Sequence, residues 1–87
     1  MVDRNSIIML LGGVKMRNLF RIVFKDNDKK TFSYSGLTND DTRETERCCE
    51  LIKQGRNVQM HTTESTPEII EREMKSMGYI LDEQTWW

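Results

Sequence analysis

The residues of this chain that could do chemistry are few, and their spacing does not suit it. Cys48 and Cys49 are neighbours, and His61 is the single histidine. An imidazole close to a thiol can lower the thiol's pKa and yield a thiolate nucleophile. Here helical spacing turns both cysteines toward the core, where cysteine behaves as a small apolar residue, while strand alternation turns His61 outward. The pair therefore reads as structural. Zinc needs about four Cys, His or carboxylate ligands in tetrahedral array, and no such spacing occurs. The acidic pairs Asp40/Asp41 and Glu71/Glu73 have the groups of a general acid and base, but helix-end electrostatics and a solvated helix face account for them more simply. Gly12-Gly13 lacks the Lys-Ser/Thr sequence and the strand-to-helix setting of a phosphate loop. The expectation is a non-enzyme with no catalytic residue, no metal and no cofactor.

The composition agrees with a modest, water-exposed domain. A chain of 87 residues is enough for one thin-cored domain and too short for two. Hydrophobic residues at 37% and charged residues at 31% fit a globular rather than a disordered chain. A formal net charge of −1 supplies no overall field toward nucleic acid or an anionic membrane. Adjacent cysteines make a strained disulfide, so a reducing, cytoplasmic setting is expected. The apolar run at 7–11 is too short to span a bilayer or to form a signal-peptide core, and no membrane partner is expected.

Gly12-Gly13-Val14-Lys15-Met16 can be encoded by a purine-rich stretch of the kind that recruits bacterial ribosomes. On that reading residues 1–15 are a translated leader or flexible segment, Met16 is the start, and 16–87 is the domain. The alternative makes 7–11 an ordinary buried strand or helix turn.

Periodicity supplies the elements that must position any site. Over 19–25, Phe20, Ile22 and Phe24 alternate with Arg21 and Lys25, the pattern of a half-buried strand. Asp26-Asn27-Asp28-Lys29 suits a turn, and 31–35 resumes alternation with Phe32 and Tyr34 inward, completing a hairpin. Thr38-Asn39-Asp40-Asp41 offers capping oxygens for a helix. Its stripe is Thr45, Cys48, Cys49 and Ile52, widened by Leu51, with Gly55 as the stop. Residues 57–63 alternate as a third strand, with Val58, Met60 and Thr62 on one side and Gln59, His61 and Thr63 on the other. Thr66-Pro67-Glu68 then starts a second helix with Ile70, Met74 and Met77 as its stripe, ended by Gly78. Residues 79–87 read as a short final strand or an ordered tail. The fold class is α+β: a small single domain in ββαβα order, to which the strand reading of 79–87 would add a short C-terminal strand, with a mainly antiparallel sheet and two helices on one face.

Charge is segregated along this order. Arg17, Arg21, Lys25, Lys29 and Lys30 make the hairpin basic, whereas Glu64, Glu68, Glu71, Glu73, Asp82 and Glu83 make the C-terminal part acidic. The first reading is a non-enzymatic protein-binding module whose acidic face, Glu64, Glu68, Glu71, Asp82 and Glu83, meets a protein or nucleoprotein partner. Trp86 and Trp87 would then be apolar anchors, with at least one indole packed on the core. Small charge-segregated chains of this style are encoded by phages and mobile elements as inhibitors of host nucleoprotein or defence complexes, an analogy of size alone. The second reading is a nucleic-acid-binding accessory protein using Arg21, Lys25, Lys29, Lys30 and Arg56. Its aromatics Phe20, Phe24, Phe32 and Tyr34 are assigned to the core and are thereby denied to base stacking. The third reading is a structural homo-oligomer paired through an edge strand or the terminal indoles.

Overall fold

Alternating apolar residues make strands only where neighbouring strands complete the hydrogen bonding, and here they do. The computed structural model describes residues 19–83, so the leader reading of 1–15 and the anchor reading of Trp86 and Trp87 lie outside the described residues. Six elements follow in order: β1 (Arg21–Asp26), β2 (Thr31–Tyr34), α1 (Thr42–Lys53), β3 (Val58–Thr63), α2 (Pro67–Ser76) and β4 (Ile80–Leu81). The ββαβα order is what the periodicity predicts, and of the two readings of the last segment, strand or tail, residues 80–81 take the strand. The strands form one mixed sheet in the order β3-β1-β2-β4. β1 is antiparallel to both β2 and β3, and β4 adds parallel to β2.

The hairpin turn is built by its own side chains. One Asp26 carboxylate oxygen, Oδ1, accepts from the backbone N–H of Asp28 at 3.0 Å and of Lys29 at 3.1 Å. Lys30 then takes a left-handed conformation, with φ of 60°, which bends the chain back into β2. At α1 the expected capping segment works one residue early. Oδ1 of Asp40 accepts from the Thr42 N–H and hydroxyl, while Thr38 pairs with Phe20 in an isolated bridge. At α2 the Thr66 hydroxyl accepts from Ile69 N–H and Pro67 occupies the first turn, as Thr66-Pro67-Glu68 predicts.

The placement of the helices differs from expectation: they pack on opposite faces of the sheet. Directly opposed residues of an antiparallel pair share a face, so Val23 lies with Tyr34 and Phe24 lies with Met60. Val23 and Phe32 bury against Ile70 and Met74 of α2. Phe20, Ile22 and Phe24 cluster with Met60 on the other face, where Met60 also meets Cys48, Leu51 and Val58. The four aromatics Phe20, Phe24, Phe32 and Tyr34 are therefore divided between two faces rather than sharing one. The strand order explains this. β2, β3 and β4 are mutually parallel, and the crossover through α1 runs from β2 to β3 whereas that through α2 runs back from β3 to β4. Right-handed crossovers in opposite directions must lie on opposite faces. β1, at the centre, is consequently covered on both sides, and Ile22, Val23 and Phe24 in succession are at most 1% exposed.

Four expected stripe residues escape burial, Thr45, Cys49 and Ile52 of α1 and Met77 after α2. Met77 is 56% exposed, beyond the C-terminal end of α2, and Ile52 is 53% exposed on α1. Among the described residues no helix is long and apolar enough to cross a membrane.

Candidate functional site

Helix α1 carries a wider apolar arc than the sheet covers. Cys48 and Leu51 are its buried residues, whereas Thr45, Cys49 and Ile52 are exposed. The expectation that both cysteines face the core thus holds for Cys48 and fails for Cys49. Helical geometry puts Thr45, Cys49 and Ile52 in one row, and that row, with Cys48, lies beside Val58 and Met60 of β3 in a groove of about 450 Å³ that continues round the strand to Gln59, His61 and, from β1, Lys25, residues of the opposite face of the sheet.

Among the described residues, the strand wall of this groove is a sheet edge. The Asn27 N–H donates to the Asn57 carbonyl at 2.9 Å, which places the odd-numbered residues of β3 in hydrogen-bonded pairs with β1. The ladder alternates, so the N–H and C=O groups of Val58, Met60 and Thr62 point away from the sheet. The opposite side of β1 confirms the phase, since the Ile22 carbonyl accepts from Ser35 N–H on the β2 side. Edge strands are commonly blunted by lysine, proline or brevity. β4 has two residues, but β3 has six, with the sequence VQMHTT and no formally charged or proline residue.

The electrostatics of the groove favour neutral groups. Burial, and after it the neighbouring Cys49, pushes the Cys48 thiol up. Burial, then the Lys25 ammonium, pushes His61 below its ordinary value against a weaker pull from Glu73. Cys48, Cys49 and His61 all border one groove, but His61 belongs to the opposite face of the sheet from Cys48, and these shifts also oppose formation of a thiolate–imidazolium pair. No group of three or more His, Cys, Asp or Glu side chains positioned to hold a metal occurs among the described residues.

The other sequence candidates fall into two places. Around Tyr34, its hydroxyl donates to Oε2 of Glu71 at 2.6 Å, and a second, smaller cleft there is lined by Ser33, Tyr34, Leu81, Asp82 and Glu83. Glu71 also meets Lys75 at 3.5 Å, so its carboxylate is occupied within the fold. The hydrogen bond from Tyr34, above all, holds that carboxylate below the usual range. Glu68 acts electrostatically on the same tyrosine, while Glu64 is exposed after β3. Of the basic residues, Arg56 is committed to Asp26 at 3.1 Å, and Arg21 donates to the Ser35 carbonyl. Lys25 and Lys30 place their ammonium groups 5.8 and 5.4 Å from the Tyr79 ring centre. Lys29 is exposed at the turn. The sequence reading missed the role of Tyr79, whose hydroxyl donates to Asn27.

The groove was the larger omission. Its signal is visible in the residues: a helix stripe five residues wide beside a strand with no charge. Compared with known proteins, the chain matches no family model, and no curated protein or solved structure matches it either.

Proposed function

We propose that this protein is a non-enzymatic binding module that captures a protein partner in the groove between α1 and β3. The observation that carries this reading is the uncovered apolar row of α1, with Ile52 at 53% exposure, standing beside an uncharged sheet edge. Apolar area kept in water has a standing cost that a partner relieves, and contiguous exposed apolar patches mark interaction sites. A role as an inhibitor of a host nucleoprotein or defence complex, encoded by a phage or mobile element, is a finer version of the same reading and rests on size and style alone.

A second reading keeps the acidic surface as the binding face. It is favoured by the convergence of Glu68, Glu71, Asp82 and Glu83 on Tyr34, which would present negative charge to a site built for nucleic acid. The two readings separate in one experiment. Affinity capture from nuclease-treated lysate is run with the wild type, with Ile52→Glu, and with a double charge reversal, Glu68→Lys and Glu83→Lys. We expect a stoichiometric protein that survives nuclease, is lost with Ile52→Glu and is retained by the charge-reversed form. Retention by Ile52→Glu with loss on charge reversal would replace the groove by the acidic face. Recovery of nuclease-sensitive material alone would instead favour the basic hairpin.

A further inference from the structure

The groove has a chemistry more specific than an apolar patch, and from it we infer that the partner enters as an extended strand, adding to the free edge of β3 with its side chains packed on α1. This inference rests on the groove being the binding site and names what fills it.

The outward N–H and C=O groups of Val58, Met60 and Thr62 form a ladder of donors and acceptors at strand spacing, and only another extended backbone can satisfy them in register. A helix or a folded surface laid on the edge would leave them unpaired while displacing their water, at a cost for every group left unmade. The six-residue edge spans roughly 20 Å, enough for a short peptide segment. A strand placed there must alternate. Residues on the α1 side meet Ile52, Cys49, Thr45 and Met60 and are expected to be apolar, and residues on the opposite side pass Gln59, His61 and Lys25. Lys25 is the only formally charged residue of that lining and lies one strand in from the edge, paired with Gln59, so an acidic residue on that side of the added strand, beyond Gln59, is favoured, with Glu73 the nearby acid acting on His61. The far wall also selects the occupant. The contacts of α1 with the sheet are concentrated on β3, so the helix stands beneath the edge itself. There is room for one added strand, whereas a second copy pairing β3 with β3 would bring its own α1 into the same space.

The experiment uses the full chain and a library of random peptides displayed on phage. Sequences that bind are expected to alternate β-branched or other apolar residues with polar ones and to carry an acid. A selected synthetic peptide should protect the Val58, Met60 and Thr62 amides from hydrogen exchange. Thr62→Pro removes an outward donor that β1 does not use, a substitution edge strands tolerate, and should weaken the peptide about tenfold or more. Thr62→Lys, which keeps the donor but charges the edge, should weaken it as well and guards against misfolding of the proline variant. If the peptide is lost with Ile52→Glu, yet the three amides stay unprotected and both Thr62 variants bind normally, strand addition is overturned while the groove remains the site. If Ile52→Glu has no effect, or if no groove-binding peptide is selected, the groove reading falls with it. A concentration-dependent dimer in light scattering that Thr62→Pro abolishes would assign the edge to a second copy and also overturn the inference.

Discussion

At the scale of single residues, Asp26 shows how a small fold uses a buried charge. It lies at the end of β1, 3% exposed, and burial alone would push its carboxyl up. The N–H of Lys29, the Arg56 guanidinium and the N–H of Asp28 outweigh burial and hold it below the ordinary carboxylate range. Depression of a folded-state pKa means that the unfolded chain binds the proton more readily. The contribution is therefore fully present above the unfolded value of about 3.9 and is lost as pH falls through the folded value. Removing one member of a buried pair leaves the other uncompensated, but Arg56 is more than a third exposed, which moderates the loss. We expect Asp26→Asn to cost about 2 kcal/mol at neutral pH and to flatten the acid limb of stability, measured by denaturant unfolding from pH 7 to pH 3. A variant that unfolds in parallel with the wild type across that range would remove Asp26 from this role. The sequence placed Asp26 in a turn, and it does organise one. Its pairing with Arg56, across thirty positions of chain, had no local signal, so Arg56 read as a surface cation.

At the scale of elements, periodicity was legible because each strand and helix repeats its own local pattern. The order of the first five elements follows from it, and the two-residue β4 is too short to show a period of its own. What periodicity lacks is a statement of which face of the sheet each element meets, since alternation looks the same from either side. Tyr34 illustrates this: its inward assignment is correct, but it faces α2 alone rather than a layer shared by both helices. The Tyr34–Glu71 hydrogen bond ties β2 to α2 and, with burial as the smaller cause, raises the phenol above its ordinary value. A raised folded-state pKa contributes stability below the unfolded value of about 10, and that contribution disappears as pH rises through the folded value. In a Tyr79→Phe background, which leaves Tyr34 as the only tyrosine, phenolate absorbance is expected to appear late in an alkaline titration. Glu71→Gln should bring it back toward the ordinary range. Unchanged titration in the Glu71 variant would show that the bond does not persist in solution.

At the scale of the whole molecule, the candidate site and the core arise from the same arrangement. The sheet must be covered twice because its two crossovers run in opposite directions, yet the described residues supply one helix for each face. α1 meets the sheet mainly at β3 and α2 at β4, and among the described residues no further element pairs with the six-residue edge of β3 or covers the outer row of α1. The groove could not be read from the sequence for this reason: it depends on strand order, and strand order is set by long-range pairing that no local window contains. The same arrangement concentrates stability in β1, whose successive residues support different layers. Val23 anchors the α2 layer and Phe24 the opposite one. Large-to-small changes at fully buried sites cost about 1–3 kcal/mol for a valine and 3–5 kcal/mol for a phenylalanine, against a total of about 5–10 kcal/mol for a domain of this size. Phe24→Ala is thus expected to leave little or no folded protein at 37 °C, and Val23→Ala to lower the thermal midpoint by roughly 5–15 °C, both followed by circular dichroism. Because the two residues face away from each other across the sheet, their effects should add if the layers are independent and exceed the sum if losing one layer loosens β1 for the other. A two-layer protein with both helices on one face would instead bury one of these side chains and expose the other, and one of the two substitutions would then be nearly silent.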